Sequence, residues 1–179
     1  DYLRVTYGSS VYDNKEIDAV LNVLKTSTQM GINVQNFEKK VAQTFNKKYG
    51  IMVNSGSSAL LLAVEVLEIP DGSEIITPAC TFGTTVAAIL KNNLTPVFVD
   101  VKRGTYCIDA DKIESMISNK TKAVCIPNLI GNIAEWEKIS KICKKYKLKI
   151  IEDSADTLGA TLGKKSTGYY SDISITSFY

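Results

Sequence analysis

Stretches with helical spacing of apolar residues alternate along this chain with short runs that are apolar on successive residues. Residues 13–25 (DNKEIDAVLNVLK) place Ile17, Val20, Leu21 and Leu24 at helical intervals, with Asp13 or Asn14 in position to cap the helix. Residues 33–47 repeat the pattern through Val34, Phe37, Val41 and Phe45. A short apolar run, Ile51-Met52-Val53, comes next, and Ser55-Gly56-Ser57-Ser58 then opens an apolar helix over 59–67. Strand-like runs fall at 74–77, 96–100, 122–126, 149–152 and 173–177, with helical stretches at about 81–92, 109–118 and 134–146 between several of them. Successive strand residues point to opposite faces. Runs such as Val97-Phe98-Val99 and Ile150-Ile151 therefore suit strands covered on both sides, as in a parallel sheet. The alternation predicts an α/β fold: a mostly parallel sheet flanked by helices in a three-layer αβα arrangement.

Composition narrows the function classes. The length of 179 residues suits one domain with a real core, or one domain plus a fragment. A net charge of +2 gives no general argument for a nucleic-acid or membrane partner. No apolar run approaches the ~20 residues of a membrane span, and Asp1-Tyr2-Leu3-Arg4 lacks a signal pattern. The absence of histidine excludes His-based triads and His metal sites within these residues. Cys80, Cys107, Cys125 and Cys143 form no CxxC pair, which argues against a zinc site or disulfide framework and for a reducing, cytoplasmic compartment. The basic run Lys144-Lys145-Tyr146-Lys147 reads as a solvated helix C-terminus that complements the dipole. Only Phe178 and Tyr179 follow the last strand run, so the expectation is a C-terminally truncated domain.

Chemistry-bearing residues cluster where strands give way to turns. Asn54-Ser55-Gly56-Ser57-Ser58-Ala59 takes an apolar run into a small-residue turn and a helix. Free backbone N–H groups at such a start, aided by serine hydroxyls, make an anion site; the same pattern equally fits an ordinary turn with serine caps. Ile150-Ile151-Glu152-Asp153-Ser154-Ala155-Asp156 puts acidic groups at the carboxyl end of an apolar strand, where open α/β sheets bind ligands. Asp153 beside a cationic ring nitrogen would stay ionised and keep that ring protonated; the other reading is a pair of solvated loop carboxylates. Phe82 follows another strand end and is placed to stack on a planar group, although most Phe side chains are core. Ser177 ends the last strand run and is a candidate phosphate contact.

The order of these motifs carries more than any one of them. NSGSSALLLAVEVL, ITPACTFGTTVAAI, PVFVDV, IIEDSADTLGAT and SDISITSFY together resemble the DegT/StrS-type sugar aminotransferase family, fold-type-I pyridoxal-phosphate enzymes. The resemblance runs from about residue 8 to residue 179. It implies that residues 1–179 form an N-terminal segment and an incomplete cofactor-binding large domain, with a smaller C-terminal domain outside them. It implies roles as well. Gly56 and Ser57 would cradle the phosphate of pyridoxal or pyridoxamine 5'-phosphate, and Ser177 would add a contact. Phe82 would stack on the pyridine ring, and Asp153 would partner its nitrogen. The family's catalytic lysine falls a few residues beyond Tyr179.

Two departures are similar to one branch, the nucleotide-deoxysugar 3-dehydratases. Asp156 stands where the aminotransferases usually have Gln, and the ending Ser177-Phe178-Tyr179 differs from their usual Ser-Phe-His. TTVAAILKNNLTPVFVDV followed by Thr105-Tyr106 is also similar to that branch. There a histidine replaces the lysine. A lysine can hold the cofactor covalently and cycle an amino group, whereas a histidine moves protons near neutral pH. The implied reaction is 3-dehydration of a nucleotide-linked 4-keto-6-deoxyhexose in deoxysugar or lipopolysaccharide biosynthesis, with Asp156 near the cofactor's 3-hydroxyl or helping to place the base. The alternatives are a lysine-using sugar aminotransferase and a non-catalytic binding or regulatory protein on the same fold. A Rossmann nucleotide binder is disfavoured, because no GxGxxG follows the first strand. The family also implies a homodimer and, for a dehydratase, a reductase partner; the fragment alone would be inactive.

Overall fold

The structure, a computed structural model, describes Leu3 and residues 10–178. It divides into two compact units, Asp1–Phe37 and Glu38–Tyr179. The first unit contains α1 (Asn14–Thr26) and the start of α2 (Ile32–Thr44). Asp13 caps α1: its side chain accepts from the Lys15 N–H, while Glu16 reaches back to the Asp13 N–H at 2.7 Å. The apolar stripe of α1, with Ile17, Val20, Leu21 and Leu24, is exposed.

The second unit is built on strands that alternate with helices. In chain order these are α3 (Gly56–Glu65), β1 (Glu74–Pro78), α4 (Gly83–Lys91), β2 (Thr95–Val99) and α5 (Ala110–Ile113). Then come β3 (Thr121–Pro127), α6 (Trp136–Tyr146), β4 (Lys149–Asp153), the two-residue strands β5 (Thr161–Leu162) and β6 (Lys165–Ser166), and β7 (Ile173–Ile175). A five-stranded sheet has the order β2-β1-β3-β4-β7, and every pairing in it is parallel. Neighbouring residues on β1, β3 and β4 enter opposite cores. Ile76, Val124, Ile126 and Ile150 pack with Trp136, Ile139 and Cys143 of α6. Ile75, Ala123, Cys125, Ile151 and Ile175 pack with Leu60, Ala63 and Val64 of α3 and Ala88 and Ile89 of α4. This is the expected three-layer αβα arrangement. The chain leaves β1 for β2 on one side and returns to β3 on the other. The carboxyl ends beside that reversal are where such sheets bind ligands.

Several local expectations are corrected. Residues 51–53 form no strand: Ile51 is exposed, and the Met52 N–H goes to the Glu38 carboxylate at 2.7 Å instead of to a ladder. β7 closes at Ile175, short of Ser177. The helix over 109–118 breaks into α5 and a 3-10 turn at Glu114–Met116. Phe98 is half exposed, because β2 lies at the sheet edge. The basic run 144–147 is exposed, as expected. It ends at Lys147 in the left-handed region (φ 57°), a helix-terminating conformation. No described helix is long and apolar enough to cross a membrane.

Candidate active site

Gly56 is the first residue of α3, and Ser55 is its cap, accepting from the Ser58 N–H at 3.1 Å. The Ser55 hydroxyl is thus spent on closing the helix start. What the first turn offers a ligand is the backbone N–H groups of Gly56 and Ser57 and the exposed Ser57 hydroxyl. Glycine suits this position by proximity. A Cβ on Gly56 would lie 3.0 Å from Ser177 Cβ and 3.2 Å from Ser177 Oγ. The missing side chain therefore lets the start of α3 approach the serine that follows β7 closely.

Asp153 is the last residue of β4 and only 5 % exposed. Its Oδ1 accepts from the Ala155 N–H at 3.0 Å. Burial pushes its carboxyl up to about 6; the Ala155 bond opposes this, and the charges of Asp156 and Glu152 add to it. A carboxylate in this setting gains from a cation placed against it. Asp153 is therefore no solvated loop carboxylate. Asp156 is exposed, and its Oδ2 accepts from the Ile130 N–H at 3.1 Å. Ile130 holds a left-handed conformation (φ 54°, ψ 39°), so Asp156 pins a strained loop after β3. Phe82 precedes α4 in extended conformation and is 70 % exposed. Its ring is not core, and a planar group can cover it.

The sequence reading passed over the layer behind these residues. Glu152 is fully buried and accepts four hydrogen bonds, from Asn128, Ser154, Ser171 and Ser174. Lys47 Nζ donates to the Gly168 carbonyl at 2.7 Å and to the Ser171 hydroxyl at 3.1 Å. One signal was available: a charged residue in a doubly covered strand must be compensated, and Glu152 follows Ile150-Ile151 directly. Its partners are scattered along the chain and carry no motif.

Residues 11–179 match the model of the DegT/DnrJ/EryC1/StrS aminotransferase family, and the chain belongs to that family. It is 37% identical over 169 residues to GDP-4-keto-6-deoxy-D-mannose 3-dehydratase of Yersinia pseudotuberculosis, covering 90% of this chain and 43% of that one. It is 40% identical over 166 residues to dTDP-3-amino-3,6-dideoxy-alpha-D-galactopyranose transaminase of Aneurinibacillus thermoaerophilus, covering 92% and 46%. Among solved structures, E. coli GDP-4-keto-6-deoxy-D-mannose-3-dehydratase with bound hydrated PLP superposes with a TM-score of 0.83 at 34% identity, over 88% of this chain and 42% of that one. The chain thus spans under half the length of the relatives it matches.

Proposed function

We propose that this chain holds pyridoxal or pyridoxamine 5'-phosphate and serves the 3-dehydration of a nucleotide-linked 4-keto-6-deoxyhexose. Asp153 carries the reading: a buried carboxylate at a strand end, pushed up to about 6, on a sheet whose neighbouring helix start closes over Ser177. These residues fit a phosphorylated pyridine. The Gly56 and Ser57 N–H groups and the Ser57 and Ser177 hydroxyls would hold the phosphate. Phe82 would cover one ring face. Asp153 would bond the ring N–H and hold its proton in place. The cofactor, when bound, supplies an electron sink for breaking bonds next to the substrate carbonyl. The protein's part is to orient that sink and keep it protonated.

Asp156 supports the dehydratase branch, since it stands where the transaminases of the family usually have Gln. Its carboxylate fixes the loop at Ile130 beside the acidic strand end. The base that moves the proton would lie beyond Tyr179. The Ser-Phe-Tyr ending that also motivates this branch reaches Tyr179, which lies outside the described residues. A transaminase is the second reading, favoured by the 40% identity to the Aneurinibacillus enzyme. In either case the whole enzyme would be a homodimer in the cytoplasm, each site completed by its neighbour; a dehydratase would add a reductase partner.

The test uses the full-length gene product with GDP- and dTDP-linked 4-keto-6-deoxyhexoses, with glutamate as amino donor, and reads products by mass spectrometry. Loss of the C3 hydroxyl is the expected result. Gain of an amino group at a sugar carbon would assign the transaminase instead. Failure to bind either form of the cofactor would sink both readings.

A further inference from the structure

We propose that Glu152 is a positioning residue of this site, a carboxylate that ties the ends of β3, β4 and β7 together and so sets Asp153 against Ser177. The proposal rests on the reading that Asp153 and Ser177 hold the cofactor.

Glu152 and Asp153 are consecutive on β4 and face opposite sides of the sheet. Asp153 shares a side with Ile151, whose core includes α3; Glu152 shares the other with Ile150, whose core includes α6. Both oxygens of the buried Glu152 carboxylate are bonded twice. Oε1 accepts from Asn128 Nδ2 at 3.0 Å and Ser154 Oγ at 2.7 Å. Oε2 accepts from Ser174 Oγ at 2.6 Å and Ser171 Oγ at 3.3 Å. Asn128 directly follows β3, and Ser174 is the middle residue of β7. One carboxylate thus spans adjacent strands at the edge where the site lies.

The arrangement has little freedom. Asn128 Oδ1 accepts from the Ala134 N–H at 3.0 Å and from Trp136 Nε1 at 2.9 Å, groups that can only donate. The Asn128 amide must therefore turn its NH2 toward Glu152, which has to accept there. On the β7 side, the Ser171 and Ser174 hydroxyls lie 2.9 Å apart, and Ser171 also receives Lys47. Burial lowers the Lys47 pKa, while the charges of Glu152 and Asp172 oppose that shift, so the lysine answers the buried carboxylate through Ser171. What the hydrogen bonds on this carboxylate fix is geometry: the lateral spacing of the strand ends that carry Asp153 and lead to Ser177.

Glu152→Gln separates geometry from stability. The amide oxygen stays on the Asn128 side, where only an acceptor fits. The amide NH2 then faces Ser174 and Ser171, turning the acceptor of the β7 arm into a donor. The effect is thereby directed at the strand that leads to Ser177.

The experiment is calorimetric titration of the full-length, cofactor-free protein with pyridoxamine 5'-phosphate, in the wild type, Glu152→Gln, Ser177→Ala and the double variant, with melting temperatures recorded without cofactor. Glu152→Gln is expected to weaken binding about tenfold, the equivalent of one well-placed hydrogen bond. Its melting temperature should move little, and Ser177→Ala should cost less in its presence than alone. Wild-type affinity in Glu152→Gln, or penalties that simply add, overturns the proposal while leaving the proposed function standing. A wild type that does not bind overturns both. If Glu152→Gln does not fold, Ser174→Ala replaces it: the same non-additivity with Ser177→Ala is expected, and additivity overturns the proposal.

Discussion

Asp153 makes its surroundings measurable through pH. Its carboxyl moves from 3.8 to about 6 because burial disfavours the ion. The folded chain thus binds this proton more tightly than the unfolded chain does. Stability from this group is complete below the unfolded value and is lost as pH rises toward the folded value, a penalty of about 3 kcal/mol that is constant above it. In cofactor-free protein, Asp153→Asn is therefore expected to melt above wild type at about pH 8, with the two converging near about pH 4. The same variant should lose cofactor affinity, because a neutral amide cannot keep a ring nitrogen charged. Parallel thermal melts and titrations read both effects; equal melting temperatures at high pH would remove the burial argument. At the opposite wall of the cradle, Gly56→Ala brings a methyl within 3.0 Å of Ser177 Cβ. Prising α3 off Ser177 should weaken pyridoxamine phosphate binding about tenfold with a small change in melting temperature. Gly56 and Asp153 stood out in the sequence because one begins a helix and the other ends a strand at a recognisable motif; Ser177 stood out through the order of motifs, since β7 closes two residues before it. Asn128, Ser171 and Lys47 did not, because Asn128 and Ser171 act through hydrogen bonds to a buried carboxylate far away in the chain and Lys47 reaches it only through Ser171.

The elements themselves were readable wherever apolar periodicity recorded burial. The core strands are apolar on consecutive residues because they are covered on both faces, and α3, α4 and α6 show the spacing of helices packed against them. The run at 51–53 misled because it is apolar without being paired: Ile51 and Met52 are exposed. The hairpin of β5 and β6 escaped because two-residue strands have no periodicity to read. Its neighbourhood still matters. Gly168, in the 3-10 turn Thr167–Tyr170, lies against the chain just past α2: a Cβ there would sit 2.2 Å from the Phe45 carbonyl oxygen and 2.9 Å from its carbonyl carbon. The Gly168 carbonyl also receives the Lys47 ammonium. Backbone at that distance cannot step aside as a flexible side chain would. Gly168→Ala should therefore destabilise the fold by about 3 kcal/mol in urea denaturation. A loss near zero would mean that the turn and the end of α2 are free to separate.

At the scale of the whole molecule, the described residues divide the chemistry unevenly. They supply a helix start set close to Ser177, an exposed ring at Phe82 and a buried carboxylate at Asp153, which the proposed function uses as phosphate cradle, ring face and partner for a ring nitrogen. Among them are no histidine and no side chain singled out as the proton-moving base. The family resemblance puts that group past Tyr179, and it separates the two proposed reactions. A lysine there joins the cofactor aldehyde covalently, and reduction with borohydride makes the link permanent. A histidine cannot form that link, and its part is limited to moving protons. Full-length protein loaded with pyridoxal phosphate, reduced, unfolded and dialysed is expected to release all of its cofactor, because Asp156 and the Ser-Phe-Tyr ending align it with the histidine branch. The mass of the intact chain reads the result: an unmodified mass supports the dehydratase. A mass increased by one reduced cofactor would place a lysine at the missing position and move the assignment to the transaminase. The proposed cradle of Gly56, Ser57 and Ser177 would serve either reaction, so its predicted affinities hold in both outcomes.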